Sequence, residues 1–537
     1  MRRSLTQTPA TPLPASAEQS GEMTHREVLR ALSGLLLAMF TAMVSSTIVS
    51  NALPRIVSDL EGSQTGYTWV VVSTMLAMTA TTPIWGKFAD LFDNKLLVQV
   101  ALGIFAVGSL LAGFAQSMEL LIGARVIQGL GIGGLTALVQ VVIAKMVSPR
   151  ERGRYSGYIG AVFAMATVSG PLIGGLLVDT VGWRWCFFIG VPISIIAFFV
   201  LQTQLHIPFA RRDVAIDYVG SVLIMAGVSA LLIWVTLGGS QFDWVSVPSA
   251  LLVAGAVVLV VLAVVWEGFF ATEPVIPLRL FRDRTTTLAT LASILIGVAM
   301  FGSTVYLSQY FQMARGMSPT KAGLMSIFMV GGLFVTSVVS GRIVTTTGRW
   351  KRFLVGGMVL VIAGLALLGT IDATTNLLRV GLSMTVLGLG LGMTMQNLVL
   401  AVQNNTANAD MGAASSVVAF FRSIGGSAGV AALGALLSHH VATDIPKGIA
   451  ALAPEQQMEA AKILGSGSLP SVKDLPDFLV PVVEHAFGSA IGEIFLVGVP
   501  FAVLALICVL FIKEVPLRTT VLRSDELVAE GPGPEAK

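Results

Sequence analysis

The sequence predicts an all-α protein that crosses a membrane many times. Hydrophobic residues make up 54% of its 537 residues and charged residues only 12%, about half the share of roughly 25% that soluble domains carry. The mean hydropathy is +0.82. A single water-soluble core cannot absorb so much apolar surface, and runs of about 20 apolar residues, the length that spans a bilayer, recur along the chain.

Fourteen apolar runs are predicted to be membrane-spanning helices. They cover residues 31–50, 69–86, 97–115, 120–145, 155–178, 185–205, 217–238, 248–267, 286–312, 321–341, 354–371, 377–402, 413–438 and 487–512. An even number of spans puts both termini on one side of the membrane. The first run is expected to act as both signal and anchor, because Arg2 and Arg3 are not followed by a short apolar region and a cleavage site.

The distribution of basic residues tests this assignment. The two tails and the loops on their side hold 23 of the 33 Lys and Arg residues. The opposite loops hold only Arg55, Arg184, Arg315, Lys321, Arg379, Lys447, Lys462 and Lys473. Because loops rich in Lys and Arg stay in the cytoplasm, we expect a multi-pass protein of the cytoplasmic membrane with both termini cytoplasmic.

The later part of the membrane region repeats the earlier part. Three features recur in the same order at offsets of 255 to 259 residues: VIQGLGIG at 126–133 as TVLGLGLG at 385–392, GKFADLFDNK at 86–95 as GRIVTTTGRWK at 341–351, and Gly170/Gly174 as Gly425/Gly429. This pattern indicates duplicated halves, the alternative being chance similarity among glycine-rich spans. Met384 takes the place of Arg125 in the repeat, so ionic machinery is expected in the first half.

The repeat predicts a division into two six-helix bundles with two inserted helices. The expected parts are a disordered cytoplasmic N-tail at 1–30, an N-terminal bundle at 31–205, the inserted pair with its linkers at 206–285, a C-terminal bundle at 286–512, and a cytoplasmic C-tail at 513–537. A long outer loop is expected at 439–486. Its stretch APEQQMEAAKIL is either a short amphipathic helix over the mouth or part of a mobile loop.

Arg125 lies inside the apolar stretch LIGARVIQGLGIGGLTALVQVVIAK. On a helix it shares a face with Gly129, Thr136 and Gln140, and Gln128 lies at the edge of that face. A guanidinium near hydrocarbon costs at least ~2.5–3.5 kcal/mol, so Arg125 should face a wet cavity or a partner. The alternatives are a buried structural arginine and one that extends outward to the interface.

Four motifs indicate a family. They are GKFADLFDNK at 86–95, LIGARVIQGLGIGG at 121–134, SGPLIGG at 169–175 and SSTIVSNALP at 45–54. Together they resemble the Major Facilitator Superfamily, and within it the fourteen-span drug:proton antiporters of the EmrB/QacA type. This resemblance implies two six-helix bundles plus an inserted pair, and transport by alternating access.

The resemblance also assigns residues to conformational gating. In the loop after the second span these are Gly86, Asp90 and Lys95, where a carboxylate near a helix end can be held and released as the halves rock. In the fifth span they are Gly170, Pro171, Gly174 and Gly175. Two of these glycines form a small-xxx-small seam for close helix packing.

Proton coupling is assigned to Arg125 and Glu493. Arginine does not titrate near neutral pH, so its expected task is to lower the pKa of a carboxylate or to organise water that carries the proton. Relatives often have an aspartate where this chain has Ser45, and a serine cannot carry a proton. Glu493, Glu119 and Glu267 are the remaining candidate acids.

A substrate cavity is expected where the halves meet near mid-membrane. Aromatic and methionine side chains give an adaptable apolar wall, and amides give orientable polar contacts. The predicted lining consists of Met39, Gln128, Thr136, Gln140, Tyr306, Gln309, Tyr310 and Gln312. For each of them taken singly, packing between helices or against lipid is the alternative.

The predicted function is proton-coupled export of lipophilic or cationic drugs, which would confer antibiotic resistance. The alternative is a dedicated exporter of one endogenous metabolite, antibiotic or lipid. A membrane enzyme and a primary pump are disfavoured, because the sequence has no metal-ligand cluster, no GxSxG elbow in a strand–helix setting and no GxxxxGK[ST] loop. The expected partners are a drug-like small molecule, protons and the bilayer. We expect no cofactor, no metal and no nucleic acid, and a monomer.

Overall fold

The computed structural model describes residues 25–60, 64–147, 149–205, 217–238, 242–407, 410–464 and 475–517. The regular elements over these residues are helices. We call the first seven helices the N-half: α1 His25–Asp59, α2 Gln64–Leu91, α3 Asn94–Gly113, α4 Met118–Met146, α5 Pro149–Thr180, α6 Trp185–Phe188 and α7 Gly190–Gln204. Within it α4 packs between α2 and α3, and α1 packs against α5 and α7.

The inserted pair is α8 Tyr218–Leu237 and α9 Val247–Phe269. The C-half consists of α10 Arg284–Gln309, α11 Pro319–Thr347, α12 Lys351–Leu368, α13 Leu377–Asn405, α14 Met411–Ala450, α15 Pro454–Leu464 and α16 Val480–Phe511. A short 3₁₀ turn at Leu278–Arg282 precedes α10, and a π-helical turn at Tyr310–Ala314 ends it. Helix α13 packs on α11 and α12, and α10 packs on α14 and α16.

The structure places a helix on each of the fourteen predicted spans, namely α1 to α5, α6 together with α7, α8 to α14, and α16. Over the described residues, thirteen of these spans are long and apolar enough to cross a membrane, and the one outside that group is α2, which has 28 residues. Large apolar side chains are exposed on the outer helices, as at Leu251 and Val258 of α9 and Phe199 of α7. Because hydrocarbon covers such surfaces, the all-α membrane fold is confirmed.

The helix directions define two ends of the molecule. We call the end where α1 begins the tail end and the opposite end the loop end. At the tail end Lys95, at the start of α3, donates to the carbonyl of Gln202, at the end of α7, over 2.7 Å. Trp350, just before α12, likewise donates to the carbonyl of Val515, just after α16.

The region from His439 to Ala486 differs from the predicted loop. Helix α14 continues twelve residues beyond the predicted end of its span, to Ala450, and α15 follows at Pro454–Leu464. Helix α16 then begins at Val480 rather than at 487. The apolar pattern marks only the part of a helix that lies in hydrocarbon, whereas its hydrogen bonds extend the helix into water. Residues 465–474 lie outside the described part of the chain.

The two halves meet along two helix pairs, α5 with α11 and α2 with α14. In the first pair a Cβ on Gly160 would lie 3.2 Å from the Ser337 Cβ, so these backbones approach closely. The second pair is covered by the inserted helix α8, where Ile84 of α2, Ile224 of α8 and Phe420 of α14 share one buried cluster. The inserted pair therefore lies beside a junction of the halves.

Candidate functional site

A carboxylate joins the two halves at the tail end. Asp90, near the end of α2, accepts hydrogen bonds from the backbone N–H groups of Gly412 (2.9 Å) and Ala413 (3.0 Å), in the first turn of α14. Its side chain is only 2% exposed. The first N–H groups of a helix lack partners inside the helix and carry partial positive charge, so a carboxylate is their natural acceptor.

We call the contact of Asp90 with the N–H groups of Gly412 and Ala413 the latch. Other residues around Asp90 support it. Lys145, at the end of α4, has its Nζ 3.6 Å from Asp90 Oδ1 and donates to the carbonyl of Ala89. One turn before Asp90, a Cβ on Gly86 would collide with the side chain of Ser416 and the carbonyl of Gly412. Only glycine lets α2 approach α14 so closely at this level.

Residues 272–283, which lie between α9 and α10, contact both halves of the molecule through ion pairs. On the N-half side Glu273 pairs with Lys87 over 2.6 Å, and the Lys87 side chain is 6% exposed. On the C-half side Arg279 donates to both carboxylate oxygens of Asp410 over 2.8 and 3.2 Å. The hydrogen-bonded Asp410 carboxylate raises the pKa of Arg279. Sequence reasoning missed these four charges, because the two pairs lie 131 and 186 residues apart in the chain.

The third residue predicted for gating in this loop lies elsewhere. The ammonium of Lys95 holds the end of α7 through the Gln202 carbonyl, and its backbone N–H donates to Asp93, the N-cap of α3. The structure therefore joins Gly86 and Asp90 to α14 but places Lys95 within the N-half. Asp93 suits this position, since aspartate is a preferred N-cap.

Arg125 is buried at 4% exposure inside the N-half. Its Nε donates to the carbonyl of Val70 in α2 over 3.4 Å, and a terminal N–H donates to Oε1 of Gln128. Gln128 in turn donates to the Ser45 and Ser109 hydroxyls over 3.1 and 2.8 Å. One polar network thus links α1, α2, α3 and α4, and the guanidinium contacts protein acceptors rather than lipid.

The candidate acids lie apart from this network. Glu493 of α16 has its Oε2 3.1 Å from Nδ1 of His440, and its side chain is 58% exposed. Glu267 is buried and accepts the N–H groups of Val275 and Ile276. Glu119 lies exposed in the first turn of α4. The structure therefore does not bring Arg125 and Glu493 together, and a proton-coupling role for the pair stays a prediction.

Glycines of α5 form a seam with α1. A Cβ on Gly170 would collide with the Thr47 side chain, and one on Gly174 would lie 3.2 Å from the Ile48 carbonyl. Gly175 is half-buried in the same helix. The side chain of Pro171 lies outside what the structure describes.

The structure places the predicted cavity residues at different levels of the two halves. Met39 is buried in the N-half core, and the Tyr310 hydroxyl donates to the Asp372 carbonyl at the loop end. Gln140 lies five residues before Lys145, near the tail end. The remaining members bond near their own positions: Gln128 within the Arg125 network, Thr136 to the Ile132 and Gly133 carbonyls, Tyr306 to the Val430 carbonyl, and Gln312 to Ser308. Gln309 is half-buried.

Two cavities can be described outside the interface of the halves. One of about 510 Å³ lies between α14 and α16 at the loop end and includes Asp444, Lys447 and His485 in its lining. The other, of about 540 Å³, lies under the segment after α9, beside Glu267 and Arg279. In the part of the chain that the structure describes, no group of His, Cys, Asp and Glu residues is arranged to hold a metal ion.

The sequence profile of the Major Facilitator Superfamily matches residues 35–430. The chain belongs to the Major Facilitator Superfamily (MFS). It is 34% identical over 501 residues to an uncharacterized MFS-type transporter of Mycobacterium tuberculosis, covering 92% of this chain and 71% of that protein. It is 31% identical to the multidrug transporter protein MdtP of Bacillus subtilis, covering 93% and 95%, and 33% identical to the efflux pump dotC of Dothistroma septosporum, covering 91% and 84%.

Solved MFS structures share the fold. The human organic anion transporter MFSD10 superposes with a TM-score of 0.58 at 12% identity, covering 88% of this chain and 99% of that one. The proton:xylose symporter XylE superposes with a TM-score of 0.57 at 13% identity, covering 91% and 96%. The family inferred from the four motifs is therefore confirmed, and the protein is a multi-pass membrane transporter rather than an enzyme.

Proposed function

We propose that this MFS transporter exports lipophilic small molecules across the cytoplasmic membrane, driven by the inward flow of protons. The single observation that supports this best is the Asp90 latch, which joins the N-half to the first turn of α14 at one end of the molecule. Alternating access requires such a contact, because each end must close while the other opens.

The energy of the latch suits a reversible switch. Hydrogen bonds to a charged group contribute roughly 1.5–3 kcal/mol each, so the two bonds to Asp90 are comparable with the few kcal/mol that separate two conformations. Proton or substrate binding can therefore reverse the contact. We place the tail end in the cytoplasm, because basic residues concentrate in the tails and the loops on their side. We propose a monomer, because one chain supplies both halves.

Export rather than uptake is supported by sequence. The SGPLIGG stretch at 169–175 resembles the antiporter signature of the family, and several relatives are named multidrug transporters or efflux pumps. The Arg125 network supplies a fixed cation deep in the N-half that can organise water for proton passage. Resistance to lipophilic antibiotics is the expected consequence in cells.

The test uses purified protein in liposomes with an imposed pH gradient. We expect lipophilic dyes to move against the proton flow, to stop when a protonophore is added, and to be indifferent to ATP. A matched variant, Arg342→Gln on the exposed face of α11, should behave like the wild type. Dye transport that needs ATP, or that continues without a gradient, would refute the proposal.

A further inference from the structure

A second arginine, Arg422, lies in the membrane region without a partner among the described residues. Arg422 of α14 has no hydrogen bond or ion pair with any residue that the structure describes. It lies ten residues beyond Gly412 of the latch, or about 15 Å along the helix, near the middle of a hydrocarbon layer of about 30 Å. Residues 411–418 are all buried, whereas Arg422 is partly exposed. Arg422 therefore lies next to the closely packed part of α14 at the tail end, on the side toward the membrane centre.

Two hydroxyl groups on the neighbouring helix are also without partners. The Thr290 and Ser293 oxygens of α10 are buried and make no hydrogen bond in the described structure. They precede Gly297 by seven and four residues and so share its side of the helix. A Cβ on Gly297 would collide with the Arg422 carbonyl, so this side packs on α14. Because side chains tilt toward the start of a helix, we expect the Arg422 side chain at the level of these hydroxyls.

We call the contact between α10 and α14 the C-half seam. The side chains around it are apolar. The Phe301 ring packs so closely on Gly426 that a Cβ there would collide with it. Phe420 is 3% exposed, and the rings of Phe420 and Phe421 lie 5.2 Å apart. A guanidinium with five N–H donors and no acceptor is costly in such a place, so a ligand that supplies acceptors would be stabilised there.

The charge of the membrane interior limits what that group can be. Among the side chains that the structure describes, the carboxylates of the spans lie toward the ends, with Asp90 and Glu267 at the tail end and Glu119 and Glu493 at the loop end. The middle carries Arg422 and no described carboxylate. An anionic ligand gains charge-assisted hydrogen bonds there, whereas a cation is repelled.

We propose that the seam between α10 and α14 binds the carboxylate or sulfonate group of an amphipathic anion, with Arg422, Ser293 and Thr290 on the anionic group and Phe301 beside the apolar body. This assigns a substrate class to the transporter and rests on the proposed export function. The polar groups of the seam favour organic anions over cationic drugs, whereas the sequence predicts lipophilic or cationic drugs.

The experiment measures equilibrium binding to the full chain in phosphatidylcholine nanodiscs, with empty nanodiscs as background. The radiolabelled probes are 1-naphthaleneacetate, its neutral amide and 1-naphthylmethylammonium, which share one apolar body. We expect the wild type to bind the acetate at least ~10-fold more tightly than the amide, and the ammonium more weakly still. Arg422→Gln should reduce the affinity for the acetate to that for the amide.

Three further variants test the seam itself. Arg422→Lys should keep part of the preference for the acetate over the amide. The double variant Ser293→Ala with Thr290→Val should show a preference about 3- to 10-fold smaller than that of the wild type. Arg342→Gln should leave the preference unchanged. Thermal unfolding of each variant confirms that it is folded. Equal binding of acetate and amide by the wild type, or wild-type binding of the acetate by folded Arg422→Gln, overturns the proposal.

Two controls distinguish a lipid from a substrate and the substrate class from the transport mechanism. Loss of acetate binding in nanodiscs that contain phosphatidylglycerol would show that the seam holds a lipid phosphate, and would overturn the assignment to substrate. Because the assay uses no gradient, a preference for anions without proton-driven transport would refute only the proposed export function. Proton-driven export without a preference for anions would refute only the substrate class.

Discussion

Each half of this transporter holds an arginine deep within a membrane span, Arg125 in the N-half and Arg422 in the C-half, and the two guanidiniums have opposite environments. Arg125 in the N-half donates to the Val70 carbonyl and to Gln128, which is itself held by two serines. Arg422 in the C-half has no partner among the described residues. A charge that the protein satisfies is fixed in place, whereas one that it leaves unsatisfied is available to a ligand.

The seams of the two halves differ as well. In the N-half, Gly170 of α5 faces the side chain of Thr47 in α1. At the repeated position in the C-half, Gly425 of α14 faces the backbone carbonyl of Ile294 in α10. A side chain can adjust to a new neighbour and a backbone carbonyl cannot, so at this repeated position the C-half seam is the more rigid of the two. Arg422 lies three residues before Gly425 on the same helix.

The largest expected effect tests the fixed cation. Arg125→Ala should lower gradient-driven efflux in liposomes by about 100-fold or more, because it removes the charge and leaves Gln128 without its donor. Arg422→Ala should instead weaken anion binding about 10-fold and leave the proton dependence intact. Gel filtration shows whether each variant is folded. Normal efflux by Arg125→Ala would remove the distinction between the two arginines.

The seams should respond unequally to added volume. Gly425→Ala should lower the thermal stability more than Gly170→Ala, with overpacking costs of about 1–3 kcal/mol or more, because only the first forces a backbone apart. Gly170→Leu, a larger change, should also impair exchange. Gly356→Ala on α12 is the matched control, since a Cβ there meets no neighbour. Equal losses at the two seams would contradict the difference in rigidity.

The next smaller effect is expected at the latch, which connects the two halves. Asp90→Asn keeps the shape but loses the charge and one acceptor, at a cost of roughly 1–3 kcal/mol. We therefore expect about 10-fold faster labelling of Ser416→Cys by a maleimide from the tail end. Asp93→Asn, which keeps an N-cap on α3, is the control. Unchanged labelling in Asp90→Asn would show that other contacts hold this end closed.

The smallest effect concerns Ser45, which stands where relatives often carry an aspartate. Its hydroxyl accepts one hydrogen bond from Gln128, and losing one such bond costs about 0.5–1.5 kcal/mol. Ser45→Ala should therefore change proton-driven efflux by no more than about 10-fold. Complete loss of coupling in this variant would show that the serine does more than support the Arg125 network.

The sequence predicted much of the fold and part of the site. Apolar runs placed the helices, because the bilayer requires about 20 apolar residues for each crossing. The pattern failed at α14, which continues past His439 to Ala450 as a helix. Gly86 and Asp90 were recognisable from their motif, whereas Lys87, Glu273, Arg279 and Asp410 were not, because ion pairs between distant segments leave no local pattern.

The sequence by itself therefore determined the membrane class, the family and the presence of Arg125 inside an apolar stretch. Only the tertiary structure decided which arginine has protein partners and which has none among the described residues. The physical reason is that the cost of a buried charge depends on the acceptors within hydrogen-bonding distance of it, and for Arg125 these include the carbonyl of Val70 on another helix, 3.4 Å from Nε. Residue type fixes the charge, and packing fixes its partners.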